Sequence, residues 1–171
     1  MIPSPLNRFS FLAMQLTRFS DFGLRLLMYL TQHDRATPIT VGEIAAQFEV
    51  PHNHLVKVAN KLVKLGLVTA IRGRNGGLIL AQPASSIKLG EALRGLEGDS
   101  GLVNCDEPPC VLKGQCLLSG ALRDGLNAFY ARMNEFTLAD VCASRTGTAI
   151  ISMHRNYLAT LSSSGNSNVP H

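Results

Sequence analysis

The amino-acid sequence predicts a mainly α-helical fold that carries a small β-hairpin and a long helix towards its end. Three observations predict it. Apolar residues recur at helical spacing in three successive stretches between Phe22 and Leu62. The glycine-rich segment Arg72-Gly73-Arg74-Asn75-Gly76-Gly77 separates two short runs of strand-forming residues. An apolar stripe then runs through Leu118, Leu122, Leu126, Phe129 and Met133. A chain of 171 residues is one ordinary domain, or one with an appended helix, and is long enough to bury a core.

Ser20 is placed to cap a first helix, with Phe22, Leu26, Leu27 and Leu30 on one face and an end near Gln32. The polar run 33–38 breaks it. Thr40 with Glu43 three residues later spells a capping box, and Val41, Ile44, Ala45 and Phe48 form the apolar face of a short second helix. After a tight connection at Glu49 and Val50, Pro51 suits a first helical turn, and Leu55, Val58, Ala59 and Leu62 make a new stripe. The opposite face of this third helix carries Asn53, Lys57, Asn60, Lys61 and Lys64. Gly66 ends it, strands are expected over 67–71 and 78–81, and a further helix over 87–96.

Two short helices joined by a tight turn, the second one basic, make a helix-turn-helix whose second helix enters a major groove. The cationic hairpin tip is then a wing, which presents Arg72, Arg74 and Asn75 to phosphates or a minor groove. The order of the elements carries this reading, since each is common alone. His54, near the helix start, joins the DNA-facing group as a solvent or phosphate contact, not as a metal ligand.

Charge distribution agrees. The net charge is only +4, but residues 50–96 hold seven bases against the single acid Glu91. A local excess of that size fits a polyanion; a merely solvated basic face is the bland alternative. No apolar run reaches the roughly 18 residues of a membrane span, and residues 1–13 lack a signal peptide's apolar core. The expected location is cytoplasmic, where thiols stay reduced.

Cys105, Cys110 and Cys116 lie in a stretch rich in Gly and Pro, with four and then five residues between them. Three thiols in one open loop suit an iron–sulfur cluster better than a zinc knuckle, which pairs cysteines on two separate corners. A four-iron cluster still lacks one ligand. Cys142 is a candidate, though a buried, inert thiol is the simpler reading. The long helix that follows has a stripe wide enough for a homodimer seam, with intrachain packing as the alternative. The organisation expected is an extension over 1–13, a winged helix-turn-helix domain over 14–96, a cysteine loop over 97–116, a dimerisation helix with a short following segment over 117–143, and a flexible tail over 144–171.

The chain resembles the nitric-oxide-sensing iron–sulfur repressors of the NsrR type, within the IscR-related winged-helix family. The resemblance rests on residues 14–25 (MQLTRFSDFGLR), 53–58 (NHLVKV), 72–77 (RGRNGG), 102–105 (LVNC), the two later cysteines, and 136–141 (FTLADV). It implies a homodimer in which Cys105, Cys110 and Cys116 hold a [4Fe-4S] cluster, with [2Fe-2S] as the alternative, and Asp21 of the partner subunit supplies the remaining ligand. A carboxylate ligand would leave one iron comparatively open. Arg25, one turn after Asp21, would hold that carboxylate. Without the resemblance, Asp21 reads as an ordinary first-turn acid.

The resemblance further implies that nitric oxide nitrosylates the cluster, loosens the dimer's geometry and releases operator DNA. An IscR-like regulator of cluster supply is the alternative, although the histidine of that ligand set has no counterpart in this loop. A small iron–sulfur electron-transfer protein is a reading from a different class, but it needs neither wing nor reading helix. An enzyme is not expected, since no nucleophile, base and orienting group can be assembled.

Overall fold

The computed structural model describes residues 15–32, 35, 37–73, 76–98 and 101–164. Helix α1 (Arg18–Tyr29) begins at Thr17, whose hydroxyl oxygen accepts from the Ser20 amide at 3.2 Å. Ser20 is therefore not the cap. It is fully buried inside the first turn, where its own oxygen accepts from the Thr17 hydroxyl. Helix α2 (Val41–Gln47) is capped by Thr40, which accepts from the Glu43 amide at 3.1 Å. The predicted capping box is only half made, because the Glu43 carboxylate turns inward to accept from Tyr29 and Arg35.

Glu49, at φ 53°, makes the left-handed turn into α3 (His52–Lys64). Proline at position 51 is the residue before the helix, not inside it. Gly66 (φ 70°) reverses the chain into strand β1 (Val68–Ile71), which pairs antiparallel with β2 (Gly77–Leu80) in the register Val68↔Leu80 to Ile71↔Gly77. The hairpin does not float: the Leu78 amide donates to the Ile39 carbonyl at 2.7 Å, which pins β2 to the segment ahead of α2.

After a short 3-10 turn (Ala84–Ser86), helix α4 (Leu89–Glu97) crosses α1, and the crossing is so close that a Cβ on Gly23 would sit 2.7 Å from Leu96. The core collects Leu26, Leu27 and Leu30 of α1, Ile44 of α2, Leu55, Val58 and Leu62 of α3, and Ala92 and Leu96 of α4. These are the apolar stripes legible in the sequence, folded face to face.

Helix α5 (Leu117–Met133) is different. Its only buried residue is Tyr130, while Leu117 and Leu118 are 90% and 65% exposed. It touches the module through α4, where a Cβ on Gly90 would lie 2.1 Å from the Tyr130 carbonyl oxygen. Short α6 (Leu138–Val141) opens with a complete capping box between Thr137 and Asp140, whose carboxyl is held below its ordinary pKa by the Thr137 amide and hydroxyl.

The tail expectation needs correction. Residues Ser144–Ser164 form a helix, α7, that returns to the first module and buries Ile150 and His154 against it. Ile150, Met153, Tyr157 and Leu161 recur in it at helical spacing, a stripe that the polar residues between them masked in the sequence, and packing against α2 and the end of α1 stabilises it. The extension 1–13 and residues 165–171 lie outside the described residues.

Candidate nucleic-acid interface and metal-ligating loop

Helix α3 buries Leu55, Val58, Ala59 and Leu62 and turns its other face outward. Asn53, His54, Lys57, Asn60 and Lys64 are exposed, and Lys61 is half-buried. Burial of one face thus sets two amides, an imidazole and three ammonium groups on the other, a donor set able to meet base edges and phosphates together. Lys61 and Lys64 also lie in the last helical turn, where cations oppose the partial negative charge of the free carbonyls. Arg72 follows β1 at the start of the wing tip and is exposed. Arg74 and Asn75 lie outside the described residues.

The cysteine loop leaves the end of α4 and returns at α5. Asn104 starts it, its Oδ1 accepting from the amides of Asp106 (2.9 Å) and Glu107 (3.3 Å). The Cys110 amide donates to the Cys105 carbonyl at 3.0 Å, which closes a six-residue turn that begins and ends on the first two thiols. Lys113 pairs with Asp106, and that carboxylate raises the lysine's pKa above its ordinary value. Cys116 is the N-cap residue of α5 and makes no side-chain cap bond. All three thiols are free; Cys110 is exposed and the other two are partly so.

Cys142 is set apart from them. It is buried against the core, its Sγ 4.0 Å from the Met28 carbonyl, and burial pushes its thiol pKa up. That is the setting of an inert thiol. The donor chemistry of the loop fits a thiolate-bound iron–sulfur group, with three sulfurs available. Among the described residues of one protomer, no three His, Cys, Asp or Glu side chains are gathered closely enough to hold a metal ion.

Asp21 sits in the first turn of α1, and Arg25 takes both of its oxygens: Nε donates to Oδ1 at 2.9 Å and Nη2 lies 2.7 Å from Oδ2. The pair anticipated from the resemblance is thus made within one helix, with both side chains still about two-fifths exposed. Glu97 escaped the sequence reading. Its Oε1 accepts from the Thr17 amide at 2.9 Å and the Thr17 hydroxyl at 3.1 Å, tying the start of α1 to the root of the cysteine loop. The two residues are 80 positions apart, so no local pattern announces the bond.

Comparison with known proteins follows the same outline. The family model Rrf2, described as an iron-dependent transcriptional regulator, matches residues 16–144. The chain belongs to the Rrf2 family. Rrf2 proteins are DNA-binding transcription regulators and not enzymes, which agrees with the expected winged helix and the expected lack of catalysis. Among solved structures, CymR of B. subtilis, the global cysteine regulator, is 23% identical over 77% of this chain and 98% of its own, with a TM-score of 0.60. IscR of T. potens is 24% identical, covering 74% of this chain and 85% of its own at 0.58. CymR of Staphylococcus aureus is 26% identical over 75% and 98%, at 0.56. No helix among the described residues is long and apolar enough to cross a membrane.

Proposed function

We propose that this Rrf2 protein is a nitric-oxide-responsive repressor. As a homodimer it binds operator DNA through Asn53, His54, Lys57, Asn60, Lys61 and Lys64 of α3 and through Arg72, Arg74 and Asn75 of the wing. Cys105, Cys110 and Cys116 hold a [4Fe-4S] cluster, and Asp21 of the partner subunit completes the ligand set. The observation that carries this reading is the placement of the three free thiols: one loop, directly between the reading module and the exposed α5, while the fourth cysteine is buried in the core.

The bound cluster supplies the iron at which nitric oxide reacts. The chain does the rest. The Cys105–Cys110 turn and the α5 N-cap hold two ends of the loop, so a group gripped by all three thiols ties α5 to the end of α4. Arg25 orients the Asp21 carboxylate while leaving it partly exposed. An exposed i, i+4 ion pair adds only about 0.3–0.5 kcal/mol to a helix, so its value here is orientation. Glu97 links that helix start to the loop root, and a change at the loop is felt at α1, against which α3 packs. The separation of two reading helices in a dimer is set by such links.

Anaerobic reconstitution, followed by fluorescence anisotropy of labelled promoter DNA with and without nitric oxide, tests the proposal. Tight binding that is lost on adding nitric oxide is expected, with Cys110→Ala abolishing cluster-dependent binding. A Cys110→Ala protein that still binds the operator tightly and selectively refutes the cluster's role. Wild-type binding indifferent to nitric oxide refutes the signal.

A further inference from the structure

The described residues contain a buried polar cluster that the DNA-binding reading does not use. Tyr29 of α1 donates to Glu43 Oε1 at 2.6 Å, and the Arg35 guanidinium donates to Glu43 Oε2 and to the carbonyls of Thr37 and Pro38. His154 of α7 stacks on Tyr29 with ring centroids 3.9 Å apart, and its Nε2 lies 3.0 Å from the Tyr29 carbonyl. A carbonyl only accepts, so Nε2 carries the proton and Nδ1 of the neutral ring is an acceptor.

Two nitrogens in this cluster, Arg35 Nη1 and His154 Nδ1, are buried and make no hydrogen bond. The side chains that bear them are 9% and 8% exposed. Glu43 Oε1 lies 3.9 Å from Nδ1, too far for a hydrogen bond and itself an acceptor. A buried polar group without a partner is rare in a folded protein and calls for a partner of matching sense. Here the two senses differ: the guanidinium nitrogen needs an acceptor and the imidazole nitrogen needs a donor.

Both side chains line one cavity of about 380 Å³, together with Gln32, Arg155, Ile151 and Leu158. Residues 151, 154, 155 and 158 are spaced i, i+3, i+4 and i+7, so α7 presents them as one stripe. The stripe adds a second guanidinium, that of Arg155, and the aliphatic side chains of Ile151 and Leu158 to the lining. Among the described residues, none that lines the cavity is an acid. Its volume falls in the range of small-ligand sites.

We propose that this cavity is a binding site for a small 2-hydroxycarboxylate with an aliphatic body. The carboxylate faces Arg35 and Arg155, the adjacent hydroxyl donates to His154 Nδ1, and the hydrocarbon lies against Ile151 and Leu158. The site is separate from the cysteine loop and does not depend on the proposed cluster. Because Arg35 is paired with Glu43 of α2 and His154 belongs to α7, a ligand here joins the terminal helix to the reading module.

Isothermal titration calorimetry of the full chain with 2-hydroxy-4-methylpentanoate tests it, with 4-methylpentanoate and inorganic phosphate as comparisons. One saturable site per chain is expected for the hydroxy acid. Loss of the hydroxyl weakens binding about fivefold, as for one net hydrogen bond, and Arg155→Ala weakens it about tenfold. Arg155 is exposed, so that variant keeps the fold. Absence of saturation up to about 10 mM overturns the proposal, since that marks affinity weaker than any built site. Equal affinity for phosphate, or an Arg155→Ala protein that binds as well as the wild type, overturns it too.

Discussion

Lys57→Ala gives a direct reading of the proposed DNA face. Lys57 lies in the middle of α3, exposed, on the side opposite Leu55, Val58 and Leu62. Its removal leaves the core untouched, and surface changes of this kind shift stability by less than about 0.5 kcal/mol. If its ammonium neutralises a phosphate, each lost contact lowers the slope of log K against log salt by about 0.9. A homodimer presents the residue twice, so one substitution removes two contacts and the slope falls by about 1.8. Between about 50 and 200 mM salt, a fourfold change, the variant should lose about twelvefold less affinity than the wild type does. Anisotropy titrations of operator DNA at several salt concentrations measure the slope. An unchanged slope refutes a phosphate contact at Lys57, and a fall of about 0.9 refutes the symmetric dimer on DNA.

Three further outcomes follow from the packing. Glu43→Gln leaves Arg35 buried beside a neutral amide and should cost about 3–5 kcal/mol in urea denaturation, as for a broken buried ion pair; a loss below about 1 kcal/mol would show the pair to be solvent-accessible. Burial holds the His154 pKa below its ordinary 6.5, so the unfolded chain binds that proton first. Stability is then complete above about pH 6.5 and lost as pH falls towards the depressed folded value. The urea midpoint should decline over that window in the wild type and less so in His154→Phe; parallel declines would assign the effect elsewhere. Gly90→Ala forces α4 and α5 apart at the Tyr130 carbonyl and should destabilise by about 1–3 kcal/mol in the same assay, whereas a neutral result would mean that α5 shifts without cost.

The elements of the reading module were legible because each carries its own period. Val41, Ile44 and Ala45, then Leu55, Val58 and Leu62, repeat at helical spacing, and Gly66 and the 72–77 segment punctuate them. The structure moves their ends by one to three residues, as at Thr17 against Ser20, because a cap is chosen by which hydroxyl reaches a free amide. The cysteine trio was legible as three thiols in one loop through residue type and spacing. The conformation of that loop was not, since it has no period to read.

Glu43 shows where local pattern misleads. In sequence it completes a capping box with Thr40; in the fold, Tyr29 and Arg35 offer it two charge-assisted or phenolic donors away from water, and it takes those. The last helix shows the converse. Ile150, Met153, Tyr157 and Leu161 do repeat at helical spacing among polar residues, yet only the surface formed by the end of α1 and by α2 gives Ile150 and His154 somewhere to be buried. Periodicity, turn chemistry and thiol spacing are properties of neighbours along the chain, so the sequence alone determined the helix-turn-helix, the wing and the grouping of three thiols in one loop. Buried polar partners and the surface a helix docks on depend on residues that meet only after folding, and tertiary structure decided the Thr17–Glu97 tie, the Tyr29–Glu43–Arg35 cluster and the course of the terminal helix.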